Sequence, residues 1–274
     1  MRGDFLKSFA TGFAMLGIVL LALSGGTILG QYYTRALQGW ETNPDRQAGS
    51  GAKAVTAAKE GLRLKMNPVA FYFVQTGVFS DRAGAEAGAA ELVKAGLKPY
   101  IGQQAPFRVF VGVFGDRDSA VKFQGHLREQ GAGGFIQTLV LNNREISLNI
   151  DSKRTADDLQ LLLEDYTTWF QDNAGLWRQT SVTDGDQKDF TSRLEKVLKN
   201  FHRLSGHLGG QIPDQGFREK LDQLYKSTGQ YILQLEKLKK SGTEADFREA
   251  QRQFTGIIEN YSSFMRQIDS LSKT

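Results

Sequence analysis

Four side chains in the first half of the chain carry groups that together make a stacking platform with hydrogen-bonding groups: Phe73, Gln75, Arg108 and Phe110. A phenyl ring offers its face for stacking. An amide both donates and accepts hydrogen bonds, and a guanidinium donates through a planar fork. Phe73 and Gln75 are two residues apart, as are Arg108 and Phe110, so on β-strands each pair points to one face. The rest of the chain offers little competing chemistry. Its 274 residues include no cysteine, which excludes disulfides, thiolate metal sites and a cysteine nucleophile. His202 and His207 lie five apart near Glu195, a spacing that matches neither zinc nor di-iron ligation. No nucleophile–base arrangement stands out, so neither a metal nor a cofactor is expected, and a binding protein is favoured over an enzyme.

The elements that must position these residues are written twice. "VQTGVFSDR" at 74–82 returns thirty-five residues later as "VFVGVFGDR" at 109–117. At that offset Val74 meets Val109, Gly77 meets Gly112, Phe79 meets Phe114, Asp81 meets Asp116 and Gly96 meets Gly131. The β-branched and aromatic runs predict strands. Ser80 or Asp81, and Gly115 or Asp116, are placed to cap the helices that follow. Gly96 and Gly131 are placed to stop them. A further short strand follows each helix, "LKPYIG" and "FIQTLVL". Strand-helix-strand twice is the α+β, ferredoxin-like βαββαβ plan: a four-stranded antiparallel sheet with two helices on one face.

Alternation then assigns the faces. Tyr72, Val74 and Thr76, with Val109, Val111 and Val113, suit the helix side, which leaves Phe73, Gln75, Arg108 and Phe110 together on the other face. Two readings stay open for that face: a ligand platform, or a surface packed against the linker or the second half of the chain.

Residues 69–142 resemble a SPOR domain, the sporulation-related repeat of bacterial envelope proteins. The resemblance rests on "FVQTGVFSDRAGAEAGAAELVKAG" and "FRVFVGVFGDRDSAVKFQGHLREQG". It implies binding to peptidoglycan, with preference for denuded glycan strands, at division or sporulation septa. It also implies glycan-contacting roles for the first-strand Gln75 and the third-strand Arg108, and a fourth-strand contact near Ile136. Val78 stands where the family often has a small polar residue, and Pro106 where it often has an aromatic. Nucleic acid is not an expected partner. The net charge of +4 is mild, and the Lys/Arg-Gly-Phe run of RNA-recognition motifs is missing from this sheet.

Residues 9–30, "FATGFAMLGIVLLALSGGTILG", contain no charge. As a helix they reach roughly 33 Å, enough for a single transmembrane anchor. Arg2 and Lys7 precede them and Tyr32, Tyr33 and Trp40 follow, which predicts a cytoplasmic tail at 1–8 and everything downstream outside the cytoplasm. Signal-peptide cleavage after Ser24 is the rival reading. Residues 31–68 read as a linker.

From residue 150 the period changes to that of amphipathic helices. Stripes such as Leu159, Leu162, Leu163, Tyr166, Trp169 and Phe170 recur in four segments with short links, which predicts an antiparallel four-helix bundle over 150–274. The whole chain reads as a membrane-anchored peptidoglycan-binding protein of the bacterial cytoplasmic membrane, its bundle docking septal partners or acting as a spacer. The alternative is a cell-wall-remodelling enzyme targeted by the repeat.

Overall fold

The computed structural model describes residues 62–142, 145–148, 153–201, 204 and 215–271. The segment expected as a membrane anchor, 9–30, lies outside them. No helix among the described residues is long and apolar enough to cross a membrane.

A short strand, β1 (Leu62–Leu64), leads into the two copies of the repeat. The first copy is β2 (Val69–Phe79), helix α1 (Arg82–Lys94) and β3 (Tyr100–Ile101). The second is β4 (Phe107–Phe114), α2 (Arg117–Glu129) and β5 (Phe135–Leu141). The shared sequence signals do the same work in each. Asp81 accepts a hydrogen bond from the Gly84 N–H at 2.8 Å, and Asp116 from the Ser119 N–H at 2.8 Å, so each aspartate caps its helix. Gly96 and Gly131 sit at φ +83° and +78° just past the helix ends. There the Leu97 N–H reaches the Leu92 carbonyl and the Ala132 N–H the Leu127 carbonyl, closing two Schellman motifs. A side chain at either glycine would have to hold a left-handed backbone.

The strands pair antiparallel in the order β3-β4-β2-β5, with the two copies interleaved as the split plan requires. The central β2–β4 ladder shifts register around Gln75. Phe73 pairs with Val113, Gln75 with Phe110, and Gly77 with Val109. This irregularity corrects one expectation. Val113 does not continue the helix-side series of Val109 and Val111. It turns to the outer face beside Phe73, and Phe114 takes its place in the helix-side core.

Beyond the sheet, β6 (Ile146–Leu148) returns to pair with β1, with Leu64 opposite Ile146. Leu64 and Met66 are buried, so the end of the segment expected as a linker is folded structure. Four helices follow: α3 (Lys153–Leu176), α4 (Gln187–Phe201), α5 (Gln215–Ser241) and α6 (Glu244–Leu271). The α5–α6 turn is built from Gly242 at φ +57° and an N-cap, in which Thr243 Oγ1 accepts from the Asp246 N–H and donates to that residue's carboxylate. Partners at opposite ends of the hairpin, Gln234 with Asp246 and Phe217 with Phe264, show that α5 and α6 run antiparallel. Arg193 donates to the Gly175 carbonyl while Lys196 and Asn200 reach back to Asp172, so α4 runs antiparallel to α3.

The aromatic stripes meet in the middle. Trp169, Phe170, Trp177, Tyr231 and Phe254 are fully buried and pack ring against ring. The same core takes in Val69, Phe71, Phe73, Val113 and Leu141 from the sheet. The two segments expected as separate domains, 69–142 and 150–274, therefore pack around one core, and the described residues form one compact unit. A smaller core lies on the opposite side of the sheet, under α1 and α2.

Candidate functional site

The expected site lies on the sheet face opposite α1 and α2, and α3 and α6 cover much of that face. Phe71 meets Phe170 and Phe254 edge-on at 6.1 and 5.3 Å. Gln251 on α6 donates to the Val113 carbonyl at 3.0 Å. On the β3 side, the Tyr100 hydroxyl donates to Glu259 at 2.6 Å and the Gln103 N–H to the same carboxylate at 2.8 Å. Burial and the Glu259 charge push the Tyr100 phenol well above its ordinary pKa, so it stays a donor. Gly256 lets the Tyr100 ring lie against α6, since a Cβ there would come within 3.1 Å of it. Tyr261 donates to Asn142, which donates to Thr167, so one chain of hydrogen bonds ties the end of β5 to both helices.

At the other end of the same face the cover thins, with Gln75 still buried at 8% exposure and Arg108 half-buried. Arg108 Nη1 donates to Gln75 Oε1 at 3.1 Å, an amide–guanidinium pair across the central strands. Val78 stands opposite Arg108 in the ladder and is half exposed. Phe135 stands opposite Gln75 on the other flank and is 74% exposed, a large aromatic left bare beside two polar groups.

The expected residues thus divide. Gln75 and Arg108 are brought together, with Val78 beside them. Phe73 and Phe110 also meet, their rings 5.3 Å apart, but Phe73 is buried and Phe110 packs against the shared core. Of the two readings of these aromatics, packing against the second half of the chain is the one observed. Ile136 pairs with Val74 and joins the core under α2, so its side chain is on the helix side. The fourth-strand residue on the outer face is its neighbour Phe135, and Gln137 follows it opposite Phe73. Alternation within "FIQTLVL" allows either phase, and only the pairing with β2 selects one.

Residues 68–138 match the family model of the SPOR domain. This segment is a SPOR domain. No curated protein and no solved structure matches the chain. SPOR domains bind peptidoglycan and act in cell division, and they are binding rather than catalytic domains. The match to the SPOR domain ends at Thr138, so the helices that cover its sheet lie outside the family's pattern.

What the exposed strip can do follows from its groups. Gln75 is buried and accepts from Arg108, so it holds the guanidinium in place, and the remaining Arg108 N–H groups are the donors at the surface. Sugar hydroxyl and N-acetyl oxygens are suitable acceptors. Phe135 supplies an apolar face for the C–H side of a pyranose. The strip is shallow and polar at its centre, which suits a segment of a polymer rather than a small molecule enclosed in a pocket.

Proposed function

We propose that this protein holds peptidoglycan glycan at the thinly covered end of its SPOR sheet, through Arg108 and Phe135, with Gln75 holding Arg108 from beneath and Val78 at the rim. The observation that carries this reading is the Gln75–Arg108 hydrogen bond of 3.1 Å, in which a buried amide fixes a half-buried guanidinium beside the exposed Val78 and Phe135. Phe73 and Phe110 support that pair from below: Phe110 lies opposite Gln75 in the ladder and its ring rests on Phe73.

Denuded strands, which lack stem peptides, suit so shallow a strip better than fully substituted ones, because nothing projects from the sugar toward the wall made by α6. The uncharged run at 9–30 supports a single-pass anchor in the bacterial cytoplasmic membrane with the SPOR domain outside, where glycan is found. Division or sporulation septa, where amidases strip glycan, are the sites of action on this reading. The helices α3–α6 shape the glycan strip, and their outer side, formed by α4 and α5, is available to septal partners.

Co-sedimentation with amidase-treated and untreated sacculi tests the binding. The full chain in detergent should pellet with both and more with the treated sample. Equal recovery in the supernatant with and without sacculi contradicts the proposal. Reporter fusions after Trp40 test the topology and should be active only outside the cytoplasm.

A further inference from the structure

The two edges of the sheet are treated differently. The β3 edge is two residues long and is held down by α6 through Tyr100 and Gln103. Short edge strands and covering helices are usual ways to stop a sheet from pairing with another chain. Among the described residues the β5 edge has neither device. It runs for seven residues, "FIQTLVL", and among the described residues it pairs only with β2. Alternate N–H and C=O groups along it therefore point away from the sheet, ready to receive a strand. It also lacks the remaining safeguards, since it contains no proline, lysine or other charge. The uncharged stretch extends from Gln130 to Asn143, in a chain that is 23% charged. On the helix side of this strand Thr138 is exposed and Val140 is 36% exposed.

We infer that β5 is an interaction surface for a second copy of this chain, the two β5 strands pairing antiparallel about a twofold axis at Thr138. Such an axis sets each residue against a counterpart whose number follows from 138. Ile136 meets Val140, Gln137 meets Leu139, and Phe135 meets Leu141, so β-branched residues fall together on the helix side and Leu with Phe on the other. A twofold pairing places any charge on the strand close to its own copy or to a like one, and an uncharged strand is the kind that tolerates this. The pair joins two four-stranded sheets into one. It also sets the two Phe135 side chains roughly 20 Å apart along the joined strands, six residues at about 3.4 Å each. Two glycan strips on one surface would hold a sacculus with greater avidity than either alone.

Since the chain has no cysteine, a single introduced one reports the contact without interference. In the full chain in detergent micelles, Thr138→Cys should form a disulfide-linked dimer under mild oxidation. Residues directly opposite in an antiparallel pair have Cα atoms about 4.5–5.5 Å apart, within disulfide reach. Val121→Cys, also exposed but on helix α2, should link severalfold less and controls for association through other parts of the chain. Gln137→Cys should also link poorly, because Leu139 and not itself lies opposite, and this reads the register without altering the edge. Adding Val140→Lys to Thr138→Cys should abolish the dimer while the melting temperature stays within a few degrees. The proposal is overturned if Thr138→Cys remains monomeric or links no better than Val121→Cys. It is equally overturned if the dimer survives Val140→Lys in a folded protein.

Discussion

The outer face of the SPOR sheet has two ends that follow the same alternation and meet opposite fates. Toward the start of β2 the outward residues are Val69, Phe71 and Phe73, joined by Val113 and Leu141, and helices α3 and α6 bury them. Toward its end they are Gln75 and Val78, joined by Arg108 and Phe135, and there the cover thins: Gln75 is still buried, Arg108 is half-buried, and Val78 and Phe135 are exposed. The difference is one of desolvation. Burying five apolar side chains removes apolar surface from water at about 25 cal/mol per Å². Burying a guanidinium that makes one hydrogen bond to an amide carries a penalty of several kcal/mol. A helical layer is therefore stable over one end and unfavourable over the other, and the polar end is the one left to meet a ligand.

If the covered end is integral to one core, the largest effect should come from removing a ring at the seam. Phe170→Ala takes away a fully buried side chain that touches Phe71 and Phe254 at once. It should cost about 3–5 kcal/mol by urea unfolding. Sheet and helices should still melt together, and two separate transitions would break the comparison. Gly115→Ala should cost about 1–3 kcal/mol as an overpacked contact. Its Cβ would fall 1.7 Å from the Ala174 carbonyl oxygen, just where the Gly115 N–H donates to the Trp177 carbonyl.

A smaller effect belongs to the clamp behind the sheet. Lys122 of α2 donates to Asp184 in the α3–α4 connection at 2.6 Å, and Thr180 Oγ1 donates to the same carboxylate at 2.7 Å. These hydrogen bonds, the lysine's foremost, hold the Asp184 carboxyl at about 2, below its ordinary 3.8. A depressed carboxyl contributes stability that is fully present above the unfolded value and is lost as the pH falls from near 4 toward 2. Asp184→Asn should remove on the order of 1 kcal/mol at neutral pH and flatten the stability profile across that acid window. An unchanged profile would show that the clamp contributes nothing.

Much of this was legible beforehand, for reasons that differ by element. The repeat, the Asp81 and Asp116 caps and the glycine stops are local signals, and local hydrogen bonds satisfy them. The four amphipathic stripes read correctly because burial follows the helical period. The pairing of Gln75 with Arg108 follows from strand alternation and from the central position of β2 and β4. What escaped reading is tertiary. Nothing local says that Phe73 and Phe110 are covered by helices from the second half of the chain. The register shift that turns Val113 outward has no signature in "FRVFVGVF". Ile136 and Phe135 exchange places because a one-residue change of phase flips a whole strand, and only the partner strand fixes the phase. The segment near Leu64 looked like linker because three residues of strand are too short to show a period.

The smallest structural effect should accompany the largest functional one, and that contrast is the most direct test of the account. Phe135→Ala and Arg108→Ala alter the open end, and Phe110→Leu alters the covered end. Affinity for denuded glycan strands should be measured for all three beside the parent, with melting temperature as the check on folding. Phe135→Ala should leave stability within about 0.5 kcal/mol, being at the surface. It should weaken glycan binding by about tenfold or more, as loss of a stacking face does on other polymer-binding platforms. Arg108→Ala should weaken binding similarly, and Phe110→Leu should bind as the parent does once corrected for any unfolded fraction. If Phe110→Leu loses binding while Phe135→Ala and Arg108→Ala retain it, the glycan does not sit on the thinly covered end of the sheet.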